Sequence, residues 1–185
     1  LNPRYLGLEQ APTRHELAAL AKLTNLQALA IRDAQSVTDL TDYGRLSSLK
    51  HLRLDACAPG LARLEPLGRL DRLVSLDLRY APGLESAAGL ETLLNLERLR
   101  LLGSETLDDL APLTGLPNLR ALAVSPPVHR PTWHQHPWAQ AALDRLGRPP
   151  PQASSDLGYL AGLTHLRSLI LQDGDHVTDF TPLAG

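Results

Sequence analysis

The chain has 185 residues and a net charge of −2, which suits one domain with a sizeable core and argues against a generally basic nucleic-acid binder. A single cysteine, Cys57, excludes an intrachain disulfide framework, and the chain has neither an 18-residue apolar run nor a signal-peptide pattern. Leucine is the outlier at 43 residues, and because Met is absent even from position 1, we expect a segment of a larger protein.

One spacing of apolar residues, L-x-x-L-x-L, recurs along the chain. The first complete unit has Leu26, Leu29 and Ile31, and later units begin at Leu49, Leu73, Leu96, Leu119 and Leu166. These starts advance by 23, 24, 23, 23 and 47 residues, so one unit between 125 and 156 is degenerate, and Leu6 and Leu8 form a partial first unit. The L-x-L part alternates with period two, which predicts a strand buried on one face.

Between these strands, apolar residues recur at every third position. Leu61, Leu64, Leu67 and Leu70 are one such series, and this spacing predicts a short 3₁₀ or α turn that returns the chain behind the sheet. Thr38-Asp39 and Thr178-Asp179, which lie 140 residues or six periods apart, are suitable N-cap residues for the return segment. A single unit cannot bury its own leucines, so the units must stack.

The pattern, most clearly LAPLTGLPNLRALAV at 110–124, resembles the leucine-rich repeat family. It is similar to internalin repeats and to the repeats C-terminal of NACHT-type NTPases. The resemblance implies an α/β fold: a right-handed horseshoe solenoid of about seven or eight units with a parallel sheet on its concave side. The family's usual asparagine ladder is replaced here by small residues, so we expect this column to be tightly packed. The column reads Ala11, Ala34, Cys57, Ala81 and Ser104.

The residues between the leucines point away from the core in such a solenoid, and several of them are charged. Within a column of equivalent positions, the charges of successive units alternate in sign, as in Glu9, Arg32, Asp55 and Arg79, or in Arg53, Asp77 and Arg100. One interpretation is a docking patch for an acidic protein segment; the other is a solvated ladder whose charges satisfy one another. The predicted partner-binding residues are His51, Arg53, Asp77, Arg79, Tyr80, Arg98 and Arg100.

The segment 125–156 is rich in Pro, Trp and His and separates the repeats at 1–124 from those at 157–185. It predicts a short helix near 137–146 between Pro-rich loops. Its aromatic loop either covers core leucines or forms a rim that contributes to recognition. The residues concerned are Trp133, His134, His136 and Trp138. The imidazoles could supply metal ligands, but the loose spacing and the lack of a nearby carboxylate argue against a metal site.

No catalytic motif is present, so we expect no enzyme activity, no metal and no cofactor. The family resemblance implies macromolecular recognition, with a protein ligand favoured, nucleic acid disfavoured and no membrane association. The leading context is the sensor domain of a cytoplasmic NACHT-like signalling or defence NTPase. The alternatives are a secreted or surface adhesin of internalin type and a purely structural scaffold. We also expect the isolated segment to self-associate through an uncapped C-terminal end.

Overall fold

A single parallel β-sheet is the central element of the structure. The computed structural model describes residues 2–104, 106–107, 109–125, 157–160, 162–172, 177 and 179–183. Within them the sheet runs in chain order through seven strands. These are β1 (Tyr5–Gln10), β2 (Ala28–Asp33), β3 (His51–Asp55), β4 (Ser75–Arg79), β5 (Arg98–Leu102), β6 (Ala121–Val124) and β7 (Ser168–Leu171). Each strand pairs with the next one along the chain, which confirms the predicted leucine-rich-repeat solenoid.

The strand register follows the L-x-x-L-x-L spacing. Leu52 lies opposite Leu29 on one side and Leu76 on the other, and the same alignment continues along the sheet. These inward leucines are 0–1% exposed. Full burial of one leucine contributes about 1.5–3 kcal/mol, so a continuous stack of leucine layers stabilises the whole array.

The chain returns behind the sheet mostly through 3₁₀ turns, which is one of the two predicted forms. The turns are Tyr43–Arg45, Glu65–Arg69, Ala111–Gly115, Leu157–Leu160 and Thr181–Leu183. Their series of apolar residues is buried: Leu64, Leu67 and Leu70 are each 0% exposed. The three-residue spacing therefore places one leucine per turn against the inner face of the sheet.

The first unit returns through an α-helix instead, α1 (Arg14–Leu20), which the sequence analysis missed. Thr13 caps this helix in a capping box: its backbone N–H donates to Glu16 Oε2 at 2.7 Å, and its Oγ1 accepts from the N–H of Glu16. The backbone N–H and the hydroxyl of Thr13 both donate to the Glu16 carboxylate, and these two hydrogen bonds lower the pKa of Glu16. The T-x-x-E pattern before an apolar stretch was the available sequence signal.

The column of small residues is buried, as predicted, from Ala34 to Ser104, whereas Ala11 of the first unit is partly buried. Ala34, Ala81 and Ser104 are 0% exposed and Cys57 is 5% exposed. Burial raises the pKa of the Cys57 thiol to about 12, and its Sγ lies 3.7 Å from the carbonyl oxygen of Leu54. A thiol in this state is protonated and unreactive near neutral pH.

A second ladder, which the sequence analysis missed, joins the units just before each strand. The side chains of Ser48, Asn95 and Asn118 each donate to a backbone carbonyl of the preceding unit. The acceptors are Leu26, Asp71 and Leu94, each at 2.8 Å. These bonds satisfy loop carbonyls and fix the spacing between neighbouring turns.

The two repeated V-T-D segments have the same local geometry. Asp39 Oδ1 accepts from the N–H and Oγ1 of Thr41 at 3.0 and 2.8 Å. Asp179 Oδ1 accepts from the corresponding groups of Thr181 at 2.9 and 2.7 Å. In each segment the aspartate side chain thus accepts from the backbone two residues later. Asp179 does so at the first residue of the turn Thr181–Leu183, but the turn Tyr43–Arg45 has Asp42 as its N-cap, so the predicted N-cap role of Thr38-Asp39 was wrong. Thr178 lies outside the described residues.

Strands β6 and β7 pair directly although 47 residues separate Ala121 from its partner Ser168. Apart from Ser125, the predicted insertion at 125–156, with its helix near 137–146, lies outside the described residues. In the part of the chain that the structure describes, no helix is long and apolar enough to cross a membrane.

Candidate functional site

The sheet has one face packed on the leucine core and one face, here called the open face, that carries the outward side chains. Strand register arranges these side chains into columns, with neighbours on adjacent strands about 4.8 Å apart. One column contains Tyr5, Ala28, His51, Ser75, Arg98, Ala121 and Ser168. The next contains Gly7, Ala30, Arg53, Asp77, Arg100, Ala123 and Ile170.

A charged cluster occupies the middle of the open face. We define it by its members, Arg53, Asp55, Asp77, Arg79, Arg98 and Arg100, which come from β3, β4 and β5. Four arginines face two aspartates, so two positive charges are not neutralised inside the cluster. All four predicted arginines and Asp77 are therefore neighbours on three consecutive strands.

The closest ion pairs of the cluster run along a strand, between residues two positions apart. Arg53 Nη2 lies 2.7 Å from Asp55 Oδ2, and Arg53 Nε donates to the same carboxylate at 3.0 Å. Arg79 binds Asp77 in the same two-pronged manner, with contacts of 3.0 and 3.1 Å. Charge-assisted pairs with two hydrogen bonds fix the direction of the guanidinium as well as its position. The hydrogen bonds that Arg53 and Arg79 donate to these aspartates raise the pKa of both arginines.

Three of the five cross-strand pairs that the columns predict are present, and those inside the cluster are longer than the pairs along a strand. Among the described residues no ion pair joins Arg32 to Asp55 or Arg53 to Asp77, so the prediction was wrong for these two pairs. Arg79 Nε lies 3.7 Å from Asp55 Oδ1, and Arg100 Nη1 lies 3.6 Å from Asp77 Oδ2. Outside the cluster, Arg32 Nη1 lies 3.0 Å from Glu9 Oε1, with both side chains more than three-quarters exposed. The carboxylates are thus shared between strands, and Asp77 contacts arginines on both β4 and β5.

Arg98 differs from the other arginines of the cluster. Within the described part of the chain its guanidinium makes no hydrogen bond or ion pair, because Ser75 and Ala121 flank it on the adjacent strands. It is close enough to His51 to affect that side chain. The pKa of His51 is lowered by burial first, and then by the positive charges of Arg98 and Lys50. His51 is consequently neutral at pH 7, and Arg98 offers an unsatisfied cation.

Tyr80 lies at the end of β4, next to the charged cluster, with a 66% exposed side chain. Its φ is +56°, and Ala56, at the same position of the preceding unit, has the same value. This left-handed conformation costs a non-glycine residue about 1–2 kcal/mol. Gly103 occupies the position in the next unit with φ +70°, where an added Cβ would lie 3.2 Å from the Tyr80 ring. An exposed aromatic side chain held at such a position is a candidate contact residue.

A depression lies beside the charged cluster, over the first strands of the open face. It has a volume of about 400 Å³, and Gly7, Ala28 and Ala30 lie along it, with Tyr5 on one side and His51 and Arg53 on the other. A Cβ added at Gly7 would meet nothing within 4 Å, so the space above this residue is open. The sequence analysis missed the depression, although small residues in both outward columns of the first two units were the signal.

The predicted rim residues Trp133, His134, His136 and Trp138 lie outside the described residues. Among the residues that are described, no three His, Cys, Asp or Glu side chains are grouped so that they could hold a metal ion. The charged cluster contains no nucleophile paired with a base. Its arginine guanidinium groups have the donor geometry that suits carboxylates.

Comparison with known proteins supplies no functional assignment. No family model matches the chain, and no curated protein matches it. Among solved structures it is similar to an internalin (inlF) from Listeria monocytogenes str. 4b F2365, with 20% sequence identity and a TM-score of 0.45. The match covers 89% of this chain and 46% of the internalin chain, so this chain spans less than half of that protein.

Proposed function

We propose that this chain is a protein-binding repeat module whose open face docks an acidic segment of another protein. The observation that carries the proposal is Arg98, which has no ion-pair partner among the described residues and lies at the edge of a cluster with two uncompensated positive charges. Arginine binds carboxylates through a planar fork of donors and is favoured at binding hot spots.

The ion pairs of the cluster support binding as well as stability. Asp55 and Asp77 hold Arg53 and Arg79 in fixed orientations, and Arg53 keeps its Nη1 group free of those contacts. Side chains that are already ordered lose less conformational entropy when a ligand binds. A cluster that satisfies only part of its own charge can therefore serve as a rigid docking surface.

The wider context of the module follows from the family resemblance alone. Our leading proposal is the ligand-sensing domain of a cytoplasmic NACHT-like NTPase, and a P-loop elsewhere in the full-length protein would favour it. The alternative is an internalin-type adhesin, which a secretion signal and a surface anchor would favour. A purely structural scaffold is the third proposal, and it requires that charge reversal on the open face leave function unchanged.

The test is affinity capture from the host lysate with the wild-type chain and two charge-reversed variants. Arg98→Glu changes the open face, and because Arg98 has no ion-pair partner in the described residues, the substitution breaks no internal pair. Arg69→Glu, on the exposed side of the return turn Glu65–Arg69, is the matched control. The proteins captured by the wild type and by the two variants are compared with and without nuclease treatment of the lysate.

We expect one protein to be retained by the wild type and by Arg69→Glu and to be lost with Arg98→Glu, whether or not nuclease is added. Equal retention by all three baits would refute the open face as the docking surface and favour the scaffold. A partner lost only after nuclease treatment would indicate nucleic acid instead.

A further inference from the structure

The depression and Arg98 lie on the same face at a distance that matches a short stretch of extended chain. Building on the proposed function, we infer that the partner segment is an extended peptide that places a bulky apolar side chain in the depression and a carboxylate on Arg98. The pattern is an apolar residue followed four positions later by Asp or Glu.

The depression suits an apolar anchor because small residues line it and a tyrosine stands beside it. Gly7, Ala28 and Ala30 contribute no side chain beyond a methyl group, while Tyr5 is 72% exposed and offers an aromatic surface. A volume of about 400 Å³ leaves ample room for one aromatic or aliphatic side chain. Burying such a side chain favours binding because it removes apolar surface from water.

Charge complementarity determines the other end of the segment. His51 lines the depression, and Arg98 belongs to the same column two strands further on; the Arg98 guanidinium makes no ion pair in the described residues. The two carboxylates of the charged cluster, Asp55 and Asp77, are already bound to arginines. An acidic ligand side chain therefore finds a cation without displacing an internal partner.

The spacing follows from sheet geometry. Ala28 and Arg98 belong to one column, three strands apart, which is about 14 Å at 4.8 Å per strand. An extended peptide that crosses the strands advances about 3.3 Å per residue, so four residues span about 13 Å. Side chains four positions apart also point to the same side of an extended chain, so both reach the open face.

The test uses two capped peptides of identical composition, acetyl-GSGFSGSEGSG-amide and acetyl-GSGFSEGSGSG-amide, titrated into the isotope-labelled chain and followed by backbone amide NMR shifts. They differ only in whether the acid follows the phenylalanine by four positions or by two. Gly7→Phe fills the depression, and Gly115→Phe is its control, because a Cβ at either glycine meets nothing within 4 Å. Arg98→Gln removes the cation, and Arg69→Gln is its control.

We expect the four-position peptide to bind about tenfold more tightly than the two-position peptide. Gly7→Phe and Arg98→Gln should each weaken its binding by about tenfold, while both control variants stay within about twofold of the wild type. The shifted amides should lie in β1 to β5.

Equal affinities for the two peptides, or binding that Gly7→Phe leaves unchanged, would overturn the inference. If neither peptide binds while lysate capture still depends on Arg98, the inference fails and the proposed function stands. If capture is also independent of Arg98, the proposed function fails with it.

Discussion

Two ion pairs on the open face have the same shortest N···O distance but differ in burial and in the number of guanidinium nitrogens involved, so the free energies that they contribute to folding should differ. Arg79 Nε lies 3.0 Å from Asp77 Oδ1, with side-chain exposures of 31% and 13%. Arg32 Nη1 lies 3.0 Å from Glu9 Oε1, with exposures of 76% and 77%. The substitutions Asp77→Asn and Glu9→Gln remove one negative charge from each pair while keeping the side-chain shape.

The expected magnitudes follow from the contacts that each carboxylate makes. Asp77 accepts two hydrogen bonds from Arg79 and lies 3.6 Å from Arg100, and its loss adds positive charge to a cluster that is already positive. A hydrogen bond to a charged group contributes about 1.5–3 kcal/mol, and asparagine keeps one acceptor, so Asp77→Asn should cost about 2 kcal/mol. An exposed pair contributes about 0–1 kcal/mol, so Glu9→Gln should cost about 0.5 kcal/mol or less.

Urea unfolding followed by far-UV circular dichroism, at low salt and in about 1 M NaCl, measures both free energies of unfolding. Salt should abolish the small cost of Glu9→Gln and leave most of the cost of Asp77→Asn, because the less exposed pair is screened less. Equal costs for the two substitutions, or a cost of Asp77→Asn that disappears in high salt, would refute the claim that partial burial makes the Asp77 pairs stabilising.

Three further outcomes are expected. Tyr43→Phe should stabilise the fold by about 1 kcal/mol, because the Tyr43 hydroxyl is buried without a hydrogen-bond partner among the described residues. Tyr80→Gly should weaken partner binding while Ala56→Gly, which relaxes the same left-handed backbone conformation, leaves binding unchanged; lysate capture compares them. The pKa of His51 should lie below 6.5 in an NMR titration, and Arg98→Gln should raise it because one neighbouring cation is removed.

The lowered pKa of His51 also makes the free energy of unfolding depend on pH. Since its pKa is lowered in the folded chain, the unfolded chain takes up a proton first as the pH falls below 6.5, and the stability contributed by neutral His51 is then lost. His51→Gln should flatten this part of the pH profile of the free energy of unfolding. A His51 pKa above 6.5 would contradict the predicted effect of burial and the neighbouring cations. A destabilising Tyr43→Phe would contradict the cost assigned to the buried hydroxyl. Equal losses of binding for Tyr80→Gly and Ala56→Gly would contradict a contact role for the Tyr80 ring.

The fold was predictable because its periodicity repeats in the chain. The spacing of Leu29, Leu52 and Leu76 places these residues side by side in the sheet, since a shift of one position would turn every leucine toward solvent. The same register identifies the residues of each outward column. It shows that the neighbours of Arg98 on the adjacent strands are Ser75 and Ala121 and not carboxylates. The α1 helix was missed because only the first unit carries the Thr13–Glu16 capping box in place of the repeated turn pattern.

The candidate site was only partly predictable. The columns indicated ion pairs between strands, yet Arg53 and Arg79 make their closest contacts along their own strands, with Asp55 and Asp77. Residues two positions apart on a strand and residues on adjacent strands are both within reach of a long arginine side chain. The choice between them depends on rotamers and on competing partners, which have no periodic signature in the sequence.

By itself, the sequence determined the stacking of the units, the strand register and the identity of the residues on each face. The reason is that only one register buries every leucine of the regular pattern. Only the tertiary structure decided which carboxylate each arginine binds, that Arg98 is left without an ion-pair partner among the described residues, and that the small residues of β1 and β2 lie along an open depression. These properties depend on distances between side chains from different units, which become defined only when the units stack.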